Sequence, residues 1–310
     1  MTSTTVRRVT LSIAVVTALT GVAACSSGSS GGSGRGTAGQ GVTHVSPVAA
    51  LRSAERSTDR ADSARVEMTT SIGTMMSMKA HGTVGWSHGL TGDLTIAYTG
   101  GTMAETMRRV GSTSMEARYL PDAFYARMGE RFAQQAGGKH WLRYGYADLA
   151  GVAGGSGAFL KDQMRNNTPN QSVKLLLASG DVKKAGEATV RGRHTTHYAG
   201  TVDVADLVGK SSHLPADQLA DLKKQLTAAG VSTERVDIWV DDQNLLVKQS
   251  CKARMAMGEM SQTAYYTDYG VQVSAQRPPA GDTEDFKDLL KKQGSTLGGT
   301  GTGSGTGASS

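Results

Sequence analysis

Cysteine 25 is the residue whose setting points most directly to chemistry. It closes the run Val22-Ala23-Ala24-Cys25, behind a positive Arg7-Arg8 pair and an uncharged, mostly apolar stretch of 15 residues from Thr10 to Ala24. A positive start, a short apolar run and small residues before the cut have the form of an export signal. The run is too short to span a bilayer comfortably. A Cys directly after those small residues has the form of a bacterial lipobox, in which the thiol receives a diacylglycerol before cleavage. The expectation is an exported chain held by its lipidated Cys25 at the extracytoplasmic face of the cell membrane. The Arg7-Arg8 pair also admits twin-arginine export, although the residues after it fit that motif poorly.

The other reactive residue types assemble nothing comparable. Cys251 is the second of only two cysteines, so once Cys25 carries lipid no intrachain disulfide is open to it. A small buried hydrophobe is the ordinary reading of such a residue and a reactive thiol the sharper one. His194 and His197 are three residues apart in a strand-like stretch, which turns them to opposite faces. No Cys or second His stands at metal-ligand spacing and no HExxH occurs, so no metal and no cofactor are expected. GxSxG and the penicillin-recognising Ser-x-x-Lys are absent, and Asp241-Asp242 reads as a pair of turn formers rather than catalytic carboxylates. Gly34, Gly36 and Gly39 match GxGxxG formally, but with no strand before them. The expectation is a protein that is not an enzyme.

Whatever these residues do, the chain between two glycine-rich ends must position them. Of 310 residues, 40 are Gly; residues 26–41 hold 12 Gly or Ser in 16 positions, and residues 294–310 hold 15 Gly, Ser or Thr in 17. Such segments cannot offset their ordering entropy by burial. The expected organisation is a signal peptide at 1–24, a lipidated Cys and disordered tether at 25–45, one domain at 46–293 and a disordered tail at 294–310. Removing residues 1–24 lowers the net charge from +6 to 33 − 2 − 27 = +4. A mild excess over so large an exported domain does not fit a nucleic-acid partner. The Lys183-Lys184 and Lys223-Lys224 pairs read as solvated faces.

Within the domain, Ser46-Pro47 marks a helix start. Val66, Met68, Thr70 and Ile72 then alternate with polar residues, as do Met78, Ala80, Gly82, Val84 and Trp86, and again Leu94, Ile96 and Tyr98. That period of two predicts half-buried strands. Further strands are expected at 103–110, 113–120, 123–128, 140–146, 186–192, 195–204, 233–241, 244–257 and 259–268. Pro121-Asp122 and Asp241-Asp242-Gln243-Asn244 supply turns. Helices are expected at 171–179, from Pro215, and at 283–292. The loose, Gly-rich 147–171 stretch is the expected entrance flap. Many short strands with helices set apart, and no βαβ alternation, predict an α+β fold with a mostly antiparallel sheet.

Several stretches carry a family resemblance: Asp122-Ala-Phe-Tyr-Ala-Arg with Gly138-Lys-His-Trp141-Leu-Arg, Gly180-Asp-Val-Lys-Lys-Ala-Gly186 through Gly192, Thr196-His197-Tyr198, Val236-Asp-Ile-Trp239-Val, and Tyr265-Tyr-Thr-Asp-Tyr269-Gly270. In this order they resemble actinobacterial surface lipoproteins of the LppX/LprG group, within the LolA/LolB-like lipoprotein-carrier superfamily. The resemblance implies a strongly curved antiparallel sheet, an incomplete barrel, with helices packed on its concave side. It also implies lipid or glycolipid held between sheet and helices, with no catalytic residue to carry over.

Methionine is the unusual count, 13 against 4 Phe. Met68, Met78, Met103, Met107, Met115, Met128, Met255, Met257 and Met260 fall in the expected strands. Their thioether chains either fill an ordinary core or line a space that adapts to acyl chains; both readings stay open. For ligand-lining residues the candidates are Met68, Ile72, Met78, Val84, Trp86, Leu94 and Ile96. The function this implies is binding or carriage of a lipid or other amphiphile at the membrane. The alternative is a non-catalytic envelope lipoprotein that uses the same fold to bind a protein partner.

Overall fold

A computed structural model describes residues 45–109, 111–152, 168–203, 227, 230 and 232–298. Helix α1 (Pro47–Arg60) begins as the sequence indicates: Ser46 is extended, its Oγ accepts from the Ala49 N–H at 3.2 Å, and Pro47 takes the first helical position. Leu51, Ala54 and Thr58 form its buried face. The chain then reverses through Asp62, at φ +62, into strands β1 (Ser63–Ile72), β2 (Met76–Gly85) and β3 (Thr91–Gly100).

The expected strand at 103–110 is instead helix α2 (Gly101–Arg109). Gly101 at φ +79 turns the chain off β3, and a Cβ there would lie 2.5 Å from the Met75 carbonyl oxygen. Met103 and Met107 stand four apart as well as in alternate phase, so short apolar spacing serves both periods. Strands β4 (Ser114–Leu120) and β5 (Ala123–Arg127) meet across the Pro121-Asp122 turn, with Leu120 opposite Ala123. Helix α3 (Glu130–Gln135) leads to β6 (Trp141–Gly145). The expected flap opens with helix α4 (Tyr146–Val152), and its 153–167 part lies outside the described residues.

Helix α5 (Pro169–Ser179) starts two residues before Gln171 because Pro169 takes its first turn, and it ends at Gly180 in the left-handed conformation. Strands β7 (Lys183–Val190) and β8 (Arg193–Asp203) follow. The helix expected from Pro215 lies outside the described residues. Strands β9 (Thr233–Asp241) and β10 (Leu246–Met255) are joined by the expected turn. Asp241 is more than a solvated turn former: it is buried, and its Oδ1 accepts from the Gln243 and Leu245 N–H groups at 3.0 and 2.8 Å. Met257 sits exposed in the turn before β11 (Gly258–Thr267), not in a strand. The end of the domain supplies strand β12 (Thr283–Asp285) and then helix α6 (Phe286–Gly298), where a helix alone from Thr283 was expected.

The twelve strands among the described residues make one sheet, in the order β12-β6-β5-β4-β3-β2-β1-β11-β10-β9-β8-β7. Every pairing is antiparallel except β12 with β6. The ends, β12 and β7, do not meet, so the barrel is incomplete. A sheet of this width accumulates twist and curls rather than lying flat. The fold is α+β, a curved antiparallel sheet with helices on its concave side. One apolar cluster joins Leu51 and Ala54 of α1 and Val173, Leu175 and Leu176 of α5 to the inner strand faces. Helix α1 is tied down further, since Thr58 Oγ1 accepts from the Leu246 N–H at 3.2 Å and Asp59 Oδ1 accepts from Asn170 Nδ2 at 2.9 Å.

Candidate functional site

Strand register builds the inner face of β1, β2 and β3. Met68 lies opposite Ala80, Ala80 opposite Ile96, and Thr70 opposite Met78. Because side chains alternate, Met68, Ile72, Met78, Val84, Leu94 and Ile96 project from one side of the sheet. All seven candidates are brought onto this face or its edge, but they divide between two clusters. Val84, Leu94, Ile96 and Trp86 are buried in the main cluster with the helices, and Met68 packs half-buried against it. Ile72, fully buried, belongs to a second cluster, and Met78 touches both.

Trp86 lies just beyond β2. Its Nε1–H donates to the Thr58 and Asp59 carbonyl oxygens at 3.2 and 3.3 Å, closing the last turn of α1, and its ring meets Tyr269 edge-on at 6.3 Å. Its position is that of a clamp between helix and sheet. Trp86→Phe is expected to cost about 1–2 kcal/mol, the loss of a buried hydrogen bond with most of the ring kept. Urea unfolding would show this as a lower midpoint at unchanged slope; an unmoved midpoint would remove the clamp.

The second cluster consists of Ile72, Met76, Ala253 and Met260, with Met75, Met78, Tyr98, Met103 and Met255 packed half-buried around it. Six of these nine are methionines, drawn from the β1–β2 turn, β2, the start of α2, β10 and β11. The Thr102 and Met103 N–H groups donate to the Thr74 and Met75 carbonyl oxygens at 3.2 and 2.9 Å, which pins α2 beside it. Sequence reasoning does not single out Met75, Met76 or Tyr98 as lining residues; the dense run Met75-Met76-Ser77-Met78 is the available signal.

Cys251 is 2% exposed, as a small buried residue should be, and its thiol is pushed up by burial and by the neighbouring Glu234 carboxyl. Glu234, also 2% exposed, projects inward on β9 in phase with Val236, Ile238 and Val240. Burial pushes its carboxyl up to about 7, a shift that hydrogen bonding with Cys251 only moderates. Sequence reasoning misses this residue too. Tyr119, on the inner face of β4, is pushed up to about 12 by burial.

His194 and His197 face opposite sides of β8. His194 is exposed between Asp242 and Glu187, whereas His197 Nε2 lies 2.8 Å from Asp237 Oδ1 and its ring stacks on Trp239 at 4.3 Å. Lys183 and Lys184 pair with Asp181 and Glu187 at 2.7 and 2.8 Å. Among the described residues no group of three His, Cys, Asp or Glu is placed to hold a metal, and no helix is long and apolar enough to cross a membrane. Cys25 and Lys223-Lys224 lie outside the described residues.

No family model matches the chain. The Streptomyces coelicolor protein named "Putative lipoprotein SCO4650" is 50% identical over 311 residues, covering 95% of this chain and 100% of that protein. The chain belongs to this Streptomyces lipoprotein family. A second relative, the Streptomyces griseus "Uncharacterized 31.2 kDa protein in rplA-rplJ intergenic region", is 53% identical over 260 residues, 84% of this chain and 85% of that one. Among solved structures, the Mycobacterium tuberculosis lipoprotein LppX is 14% identical, with a TM-score of 0.46 over 74% of this chain and 98% of its own.

Proposed function

We propose that this family member is an exported lipoprotein, anchored by a diacylglyceryl Cys25 at the extracytoplasmic face of the cell membrane, that binds a lipid or other hydrophobic ligand on the concave side of its sheet. Residues 1–24 act as the signal peptide, 25–45 as the tether, 46–293 as the binding domain and 294–310 as the tail. The observation that carries the ligand reading is the methionine cluster. Its half-buried Met75, Met78, Met103 and Met255 present unbranched side chains that change shape at little cost. Each methylene of an acyl chain that leaves water for such a surface gains about 0.8 kcal/mol. Helices α1 and α5 are hydrogen-bonded down over the main cluster, so the methionines are the adaptable part of the inner face.

The test is native mass spectrometry, with organic extraction, of a soluble chain starting at Ser26, expressed in an actinobacterial host without detergent. A stoichiometric lipid is the expected result. An apo mass that stays apo after incubation with liposomes would sink the ligand reading.

A second reading, a protein partner in the envelope, is favoured by the outer face. There His197, Trp239, Lys248 and Tyr265 stand in register across β8 to β11, and Lys248 Nζ lies 4.1 Å from the Trp239 ring centroid. Arg191 caps Tyr265 at 4.1 Å while pairing with Glu67. Half-buried aromatics and arginine are the residue types that concentrate in protein interfaces.

A further inference from the structure

A row of polar side chains crosses the inner face where the two apolar clusters meet. Thr70 on β1 stands opposite Gln262 on β11, and Gln262 opposite Cys251 on β10. Glu234 on β9 stands opposite Ala253 and diagonal to Cys251, with which its carboxyl interacts. On one side of this row lie Met68, Ala264, Gln249 and Ile238; on the other lie Ile72, Met260 and Ala253 of the methionine cluster.

Two atoms of the row lack what buried polar atoms require. Thr70 is 2% exposed with no hydrogen-bond partner for Oγ1, and Glu234 is 2% exposed with none for Oε1. Gln262, between them, directs its Nε2 at the Met68 sulfur at 3.1 Å, a weak acceptor. Buried polar groups are nearly always hydrogen-bonded, because a dry donor or acceptor forfeits its hydration with nothing in return. An apolar residue at either position would have removed that cost. The row spans three strand spacings, about 14 Å.

We infer that this row is a polar-recognition subsite for the bound amphiphile, which lays its acyl chains on the methionine cluster and directs hydroxyl or N–H donors at Glu234 Oε1 and Thr70 Oγ1. This rests on the hydrophobic-ligand reading above and names the ligand's chemistry: a lipid with hydrogen-bond donors next to its chains. Gln262 adds an amide within the same row, and the neutral or ionised Glu234 carboxyl accepts a donor in either state. The ligand would supply the partners that the described residues do not.

The experiment compares two probes with the same acyl chain, monopalmitoylglycerol and methyl palmitate, which differ in their hydroxyl donors. Competition is read by native mass spectrometry on the soluble chain and on Thr70→Val/Glu234→Met. The wild-type chain is expected to prefer monopalmitoylglycerol by roughly tenfold or more, the scale of a hydrogen bond to an otherwise dry group. The double variant keeps its affinity for methyl palmitate and loses the preference. Thr70→Val alone, nearly the same shape, is the second variant and reduces the preference several-fold. Equal affinities in the wild-type chain, or a preference that survives both variants, overturn the subsite while leaving the hydrophobic-ligand reading intact. Failure of both probes to bind overturns that reading, and the subsite with it.

Discussion

A Cys25→Ala chain whose signal peptide is cut at another site is expected to leave the membrane fraction almost completely and to appear as a soluble product. The proposed anchor is two acyl chains on one thioether. At about 0.8 kcal/mol for each buried methylene, two ordinary chains give a partition free energy on the order of 20 kcal/mol, where a single chain binds only marginally and reversibly. Among the described residues no helix is long and apolar enough to cross a membrane in its place. The surface offers little electrostatic replacement, with a net charge of +4 after residues 1–24 are removed and lysines such as Lys183, Lys184 and Lys139 already paired with carboxylates. The measurement is fractionation of cells carrying either chain, with an alkaline wash of the membranes and an intact-mass determination of the N-terminal peptide. A Cys25→Ala chain that has lost residues 1–24 by intact mass and still survives the wash in the pellet would falsify the lipid anchor and call for a second attachment.

The parts of this architecture that are legible in the sequence share one physical property: a face buried on one side only. Val66, Met68, Thr70 and Ile72 read as an inward set because Arg65, Glu67 and Thr69 alternate with them, and a one-residue slip would put the apolar set in water. The same logic locates β2 and β3. It fails at α2, where Met103 and Met107 satisfy a period of two and a spacing of four alike. There the decision rests on Gly101, whose positive φ removes the chain from the sheet. For the site, alternation places the seven candidates on one face but cannot divide them. Whether Leu94 packs beneath helices or Ile72 beside the methionines depends on which strands become neighbours. Ile72 stands opposite Met260 on β11, far along the chain, and Met260 in turn opposite Ala253 on β10. Local alternation carries no record of such pairings.

Glu234 shows the opposite failure, in which the pattern is present and the chemistry misdirects the reading. Thr233-Glu234-Arg235 looks like the polar, solvated start of a strand. Yet Glu234 is in phase with Val236, Ile238 and Val240, and alternation alone would turn it inward. A carboxyl is rarely fully buried without a partner, so charge outweighs period.

Replacing that carboxyl by an amide is expected to change how the protein's stability depends on pH. Unfolded, Glu234 ionises near 4.5; folded, burial pushes it up to about 7. Between those values the folded chain holds a proton that the unfolded chain has released. Stability therefore falls as pH rises through the window, and the contribution fully present below pH 4.5 is gone once pH passes about 7. The difference converts to about 3 kcal/mol at most. Among the described residues, the groups that face Glu234 do not offset it: Cys251 is itself held neutral by burial, and Val202 and Ala253, its neighbours in register on β8 and β10, carry no charge. Other groups titrate across the same range, His140 among them, raised by its hydrogen bond with Asp282, but both chains carry them and they cancel in the comparison. Glu234→Gln should accordingly match the wild-type chain in urea unfolding at about pH 4.5 and exceed it at about pH 8 by up to about 3 kcal/mol. The mechanism requires the gap to open with pH. Two stability curves that run parallel across that range would mean that the carboxyl reaches water or a cation in the folded protein, and Glu234 could then no longer be the dry group that the polar-recognition subsite needs.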